Sequence, residues 1–137
     1  MNHKDTKTQR NPIPNRVEEI AKIVVDAAFD VHSNLGPGLL ESIYEVCLAH
    51  AVAKRGLTVD RQVPLPVLYD NIRLDAGFRL DLLVEGCLVV EVKAAEQILP
   101  VHKAQVLTYL KLTGHRLGLL INFNVPLIRD RIKRIVL

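Results

Sequence analysis

The chain of 137 residues has no tryptophan and only three phenylalanines and three tyrosines, so its core has to be aliphatic. Its two cysteines, Cys47 and Cys87, stand far apart. They offer neither a disulfide framework nor the close pairing of a zinc knuckle, and the expectation is buried thiols in a reducing, cytoplasmic compartment. No apolar run approaches the ~20 residues that cross a bilayer. Residues 1–16 lack the apolar stretch of a signal peptide. A strong charge of one sign is missing as well. The net charge is +3, and residues 1–16 account for all of it through Lys4, Lys7, Arg10 and Arg16 against Asp5. Residues 17–137 carry fourteen basic and fourteen acidic side chains. A neutral body does not coat a duplex by charge alone, so any contact with nucleic acid needs a local patch.

What is present is a globular composition, 49% hydrophobic and 24% charged, at a length that suits one domain. Residues 1–15 are polar, basic and broken by Pro12 and Pro14, and read as a flexible tail before a single domain over 16–137. Asn15 with Glu18 has the form of a helix N-cap and its reciprocal acid. Val17, Ile20, Ala21, Val24, Ala28 and Val31 then recur at helical spacing and predict a helix to about Ser33. Gly36-Pro37-Gly38 breaks it, and a second helix is expected from about Leu39 to Arg55.

After Gly56 the period changes. Thr58–Tyr69 is strand-like but interrupted by Pro64 and Pro66. Asp70-Asn71 predicts a turn before a short strand at Ile72–Leu74. Phe78–Val84 and Leu88–Ala94 are the clearest strands. A helix over Val101–Thr113 follows, then a buried strand at Leu117–Phe123. Ile128–Leu137 fits either helix or strand. The order predicts helices packed on a central sheet, an α/β or α+β layer.

The candidate chemistry starts at Asp81, Glu91 and Lys93. Glu91 and Lys93 lie two apart on a strand and share a face. Asp81 joins them only if the loop after Val84 has an odd number of residues or carries a bulge; a two-residue turn puts the two acids on opposite faces. Converging carboxylates are hard oxygen ligands of the kind Mg²⁺ or Mn²⁺ takes, and a neighbouring lysine can orient water or stabilise phosphate charge. An exposed strand face with solvated charges is the alternative.

His102, Gln105 and Tyr109 fall on one helical face, either at a substrate or as the outer side of an amphipathic helix. Glu41 and Glu45 stack one turn apart near a helix start, where negative charge is favoured in any case. Arg129, Arg131, Lys133 and Arg134 form the basic cluster of the folded body, a solvated face or a phosphate rim. Arg79 shares a face with Asp81 and can meet a carboxylate or a phosphate.

Gly38-x-x-Glu41-x-x-Tyr44, Asp81-Leu82-Leu83-Val84-Glu85, Glu91-Val92-Lys93, His102-x-x-Gln105-x-x-x-Tyr109 and Gly118-Leu119-Leu120-Ile121-Asn122-Phe123, in that order, resemble the GxxExxY protein family, grouped with the PD-(D/E)XK nucleases. The resemblance covers roughly residues 16–137. It implies a restriction-endonuclease-like core: a central mixed β-sheet flanked by helices, αβββαβ, here with an extra N-terminal helix. It implies Asp81, Glu91 and the Val92 carbonyl as ligands of Mg²⁺ or Mn²⁺, with Glu41 as an auxiliary acid. Lys93 matches the signature lysine beside the attacking water, and Gln105 and Tyr109 match the supporting Q-x-x-x-Y motif. Tyr44, Arg79, His102, Arg131, Lys133 and Arg134 are the expected nucleic-acid contacts. The implied activity is phosphodiester hydrolysis in DNA. Two alternatives remain: a catalytically inactive accessory module that binds nucleic acid or protein, and a homodimeric junction-resolving endonuclease.

Overall fold

Val17, Ile20, Ala21, Val24, Ala28 and Val31 form the buried stripe of α1 (Asn15–Leu35) in the computed structural model. The structure describes residues 12–137, the side chain of Asp130 excepted. Most of the tail expected at residues 1–15 therefore lies outside the described residues. The cap differs from expectation. Asn15 is the first helical residue, Pro14 holds the N-cap position, and no side chain caps the end. The Pro14 carbonyl accepts the N–H groups of Val17 and Glu18. The Glu18 carboxylate, in place of reaching back to Asn15, is held by two bonds from Arg134, at 2.7 and 3.0 Å.

Gly36 and Gly38 turn the chain at positive φ, and α2 (Glu41–Lys54) buries Tyr44, Glu45, Leu48, Ala49, Ala51 and Val52. Tyr44 explains the fixed spacing between turn and helix. Its hydroxyl donates to the Gly36 carbonyl and accepts the Leu39 N–H, and its ring stacks on Phe123 with centroids 4.8 Å apart.

β1 (Val59–Pro64) ends at the first proline, and β2 (Val67–Tyr69) and β3 (Ile72–Leu74) form a separate antiparallel hairpin. Asp70 and Asn71 make its turn, both at positive φ, the conformation that short polar residues tolerate best. β4 (Arg79–Val84) and β5 (Leu88–Lys93) follow, then α3 (Pro100–Thr113), β6 (Leu117–Asn122), a 3₁₀ turn (Ile128–Arg131) and β7 (Ile132–Val136). The sheet order is β1-β4-β5-β6-β7; β5 and β6 are parallel, as the α3 crossover requires, and the other neighbours are antiparallel. The C-terminal segment, open between helix and strand in the sequence, is a strand that covers β6.

The result is a central mixed sheet flanked by helices, as expected of a restriction-endonuclease-like core, with the hairpin and β7 added. The larger core packs α1 and α2 against Leu82, Val84, Leu88, Val90, Val92, Leu117, Leu119 and Ile121. A smaller one gathers Leu65, Leu80, Val89, Tyr109 and Leu110 beneath α3. β6 is buried at every residue, and Val106 and Leu110 of α3 pack directly over Gly118. A Cβ there would meet Val106 Cγ1 at 2.8 Å.

Candidate active site

The loop joining β4 to β5 decides the site. Val84 pairs with Leu88, leaving Glu85, Gly86 and Cys87 as a three-residue connection. Glu85 and Gly86 both have positive φ, and the Cys87 N–H closes the turn on the Val84 carbonyl at 3.0 Å. This is the two-residue primed turn plus one extra residue. Glu85 is held in that strained conformation by its own side chain, which accepts the Thr58 N–H at 2.6 Å and an Arg16 bond at 3.1 Å. The odd count puts Asp81 opposite Glu91.

Regular pairing stops there. The register runs from Val84↔Leu88 to Leu82↔Val90, and beyond it the carboxylates replace the backbone ladder. The Asp81 N–H donates to Glu91 Oε2, and the Val92 N–H donates to Asp81 Oδ2, both at 2.8 Å. On the other side of β4, Asp81 and Gln62 drop out of the β1–β4 register together, and Gln62 takes a positive φ of 52°. Leu80 packs in the smaller core whereas Leu82 and Val84 pack in the larger. A local break in the sheet thus brackets Asp81.

Two acids are confined at this break. Glu91 is 3% exposed. Burial, then the Asp81 charge, raises its carboxyl to about 8. Burial first, with Glu45 and Glu41 adding to it, raises Asp81 to about 6. Lys93, two residues along the face from Glu91, pulls both down. Tyr109 reaches the same place from α3. Its phenol is raised by burial and then by Glu91 and Asp81.

The Lys93 backbone is fixed by groups beyond it. Its carbonyl accepts the Phe123 N–H at 2.9 Å. The fully buried Asn122 side chain grips the next turn of chain, accepting the Ala95 N–H at 3.1 Å and donating to the Ala95 carbonyl at 2.9 Å. The sequence placed Asn122 in a motif but gave it no role; an amide ending a wholly apolar strand was the available signal.

A match to the model of the PD-(D/E)XK nuclease superfamily runs over residues 18–135. The chain belongs to the PD-(D/E)XK nuclease superfamily. Comparison with curated proteins and with solved structures gave no match.

The fold brings Asp81, Glu91 and Lys93, the acids and lysine expected from the sequence, together with Tyr109. Gln105 is half-buried on the same stretch of α3. The helix-borne acid is the surprise. Glu41, the expected auxiliary, is exposed at the start of α2, while Glu45 one turn on is 5% exposed and its charge acts on both Asp81 and Glu91. Arg61 (3.0 and 3.2 Å) and Gln62 (2.8 Å) hold the Glu45 carboxylate.

The expected nucleic-acid contacts divide. Tyr44 is fully buried and bound within the fold, so the sequence's assignment of it to a contact surface is corrected. Arg134 is committed to Glu18 of α1. His102 accepts the Leu99 N–H at 3.0 Å and closes the start of α3. Glu91 pairs with Leu120, and Leu120 with Lys133. Lys133 therefore stands on the Glu91 face two strands away, ~10 Å by strand spacing. Arg79 and Arg131 are exposed, at the start of β4 and the end of the 3₁₀ turn.

Proposed function

We propose that this protein is a divalent-metal-dependent nuclease of the GxxExxY branch of the superfamily, hydrolysing phosphodiester bonds in DNA. The observation that carries the reading is the crossed arrangement of Asp81 and Glu91, each carboxylate held by a main-chain N–H of the opposite strand. Two acids kept together in a half-buried break, with raised proton affinity, repel each other until a cation joins them. Their oxygen donors fit Mg²⁺ or Mn²⁺. The Val92 N–H faces Asp81, and by the alternation of strand hydrogen-bonding groups its carbonyl, on the same edge, would add a neutral third ligand. Glu45, buried and braced by Arg61 and Gln62, is the helix acid whose charge reaches both Asp81 and Glu91. The ion, when bound, supplies Lewis-acid polarisation of the phosphate and lowers the pKa of a bound water.

The chain's own side chains do the rest. Lys93, on a backbone locked by Phe123 and Asn122, presents its ammonium beside Glu91 to orient water and hold a phosphate oxygen. Tyr109 and Gln105 close the α3 side. Lys133 and Arg79 supply positive charge along the approach. Asp81→Asn and Lys93→Ala should each lower cleavage of an oligonucleotide in Mn²⁺ by about 10²–10⁴-fold while melting as cooperatively as the wild type. Undiminished cleavage by either variant overturns the assignment.

A second reading, an inactive accessory module, has one observation behind it. Among the described residues no three His, Cys, Asp or Glu side chains gather as a ready metal cluster. Nucleic-acid binding without turnover in any divalent metal would favour it.

A further inference from the structure

A groove of about 270 Å³ opens where α3 passes the base of the β2–β3 hairpin. Val67 and Phe78 form one wall, and Val101, Gln105, Tyr109 and Leu112 of α3 form the other. Its walls are apolar where folding does not require it. Phe78 is 44% exposed and Val101 64%, so neither stabilises the core by full burial and both are open to a ligand. It also adjoins the carboxylates. Tyr109 lines the groove and packs in the same small core as Leu80, the residue before Asp81.

The occupant must match three features. It has to be flat and apolar on its faces, because Phe78, Val67 and Leu112 offer nothing else. It has to carry hydrogen-bonding edges, because Gln105 stands among them with an amide that both donates and accepts. It has to be small, since the groove falls below the ~300–1,000 Å³ of ordinary small-molecule pockets. Charge narrows the choice further. Residues 17–137 are balanced at fourteen basic and fourteen acidic groups, so net charge alone does not hold a duplex. Stacking on an aromatic ring suits a base that is already unpaired.

We propose that this groove receives an unpaired nucleobase of the strand whose phosphate lies at Asp81 and Glu91, with the base on Phe78 and its edge at Gln105. The protein then selects single-stranded or locally opened nucleic acid. The proposal rests on reading the carboxylate site as a phosphodiesterase.

The test is fluorescence anisotropy in Ca²⁺, with a labelled single-stranded oligonucleotide and a blunt duplex of equal length. It compares the wild type, Phe78→Ala and Phe78→Trp, and follows Mn²⁺ affinity alongside. The wild type should bind the single strand at least about tenfold more tightly than the duplex. Phe78→Ala should lose about tenfold of that affinity, on the scale of one base–aromatic stack, and Phe78→Trp should restore it. An unchanged single-strand affinity in Phe78→Ala, equal affinity for the duplex, or binding of neither form overturns the groove assignment. So does a wild type that dimerises through Phe78, which would give the groove to a second copy of the chain. Mn²⁺ binding and cleavage that persist without a Phe78 effect sink the groove alone. Phe78-dependent binding of single strands without Mn²⁺ binding sinks the phosphodiesterase reading alone.

Discussion

Glu91 keeps its proton to about pH 8 in the folded chain, against 4.5 for an ordinary glutamate, because burial and the neighbouring Asp81 disfavour its charge. Asp81 follows the same direction, from 3.8 to about 6. Between the ordinary and the folded values the unfolded chain has released protons that the native state still holds, so stability falls as pH rises. The loss begins near pH 4, is steepest just below about 6 while both groups contribute, eases above it and levels off above about 8. Glu91→Gln removes the larger part. Its melting temperature should vary less between pH 5 and 8 and exceed that of the wild type at pH 8, by several degrees for a difference on the order of 2–3 kcal/mol. Thermal melts across that range check it; a wild type that gains stability toward pH 8 contradicts it. At this scale the sequence was legible where spacing settles the matter. Glu91 and Lys93 share a face by alternation alone, and Asp81 joins them through an odd loop. Glu45 was not legible. Which of two acids one helical turn apart points inward depends on how α2 rotates against the sheet, and Arg61 and Gln62, which hold it, come from a strand 16 and 17 residues later.

α3 is positioned by what β6 lacks. Val106 occupies the space above Gly118, and a β-carbon there would sit 2.8 Å from its Cγ1. Gly118→Val must push the helix off the sheet and carry Gln105 and Tyr109 away from the carboxylates. The expected result is a loss of ~1–3 kcal/mol of stability from overpacking, with a larger fall in kcat than in metal affinity. Chemical denaturation and cleavage kinetics measure both; normal kcat in a folded Gly118→Val protein contradicts the role given to α3. The helices and most strands were readable to within two residues, because periodicity changes sharply at Gly36, Gly56 and Gly114. The C-terminal strand was not. Its mix of Arg, Lys, Ile and Val is explained only by its place at the sheet edge, where Ile132 pairs with Ile121 and Arg134 turns toward Glu18. The N-cap at Asn15 also failed as an expectation, because Pro14 supplies the first carbonyl and Arg134 takes the Glu18 carboxylate.

Across the whole molecule, order in the sheet and balance in charge work together. The parallel β5–β6 pair, crossed over by α3, places an acid, a lysine and a tyrosine at one end of the sheet, while α1 and α2 bury the other face. A neutral body leaves affinity to the site itself. Divalent metal is therefore the central claim, and calorimetric titration of Mn²⁺ into the wild type and Asp81→Ala at pH 8 tests it most directly. The account predicts binding by the wild type that weakens as pH falls through 8 and 6, where the ligands take up protons, and that disappears in Asp81→Ala. Equal binding by both proteins, or none by either at pH 8, contradicts a metal centre at Asp81 and Glu91.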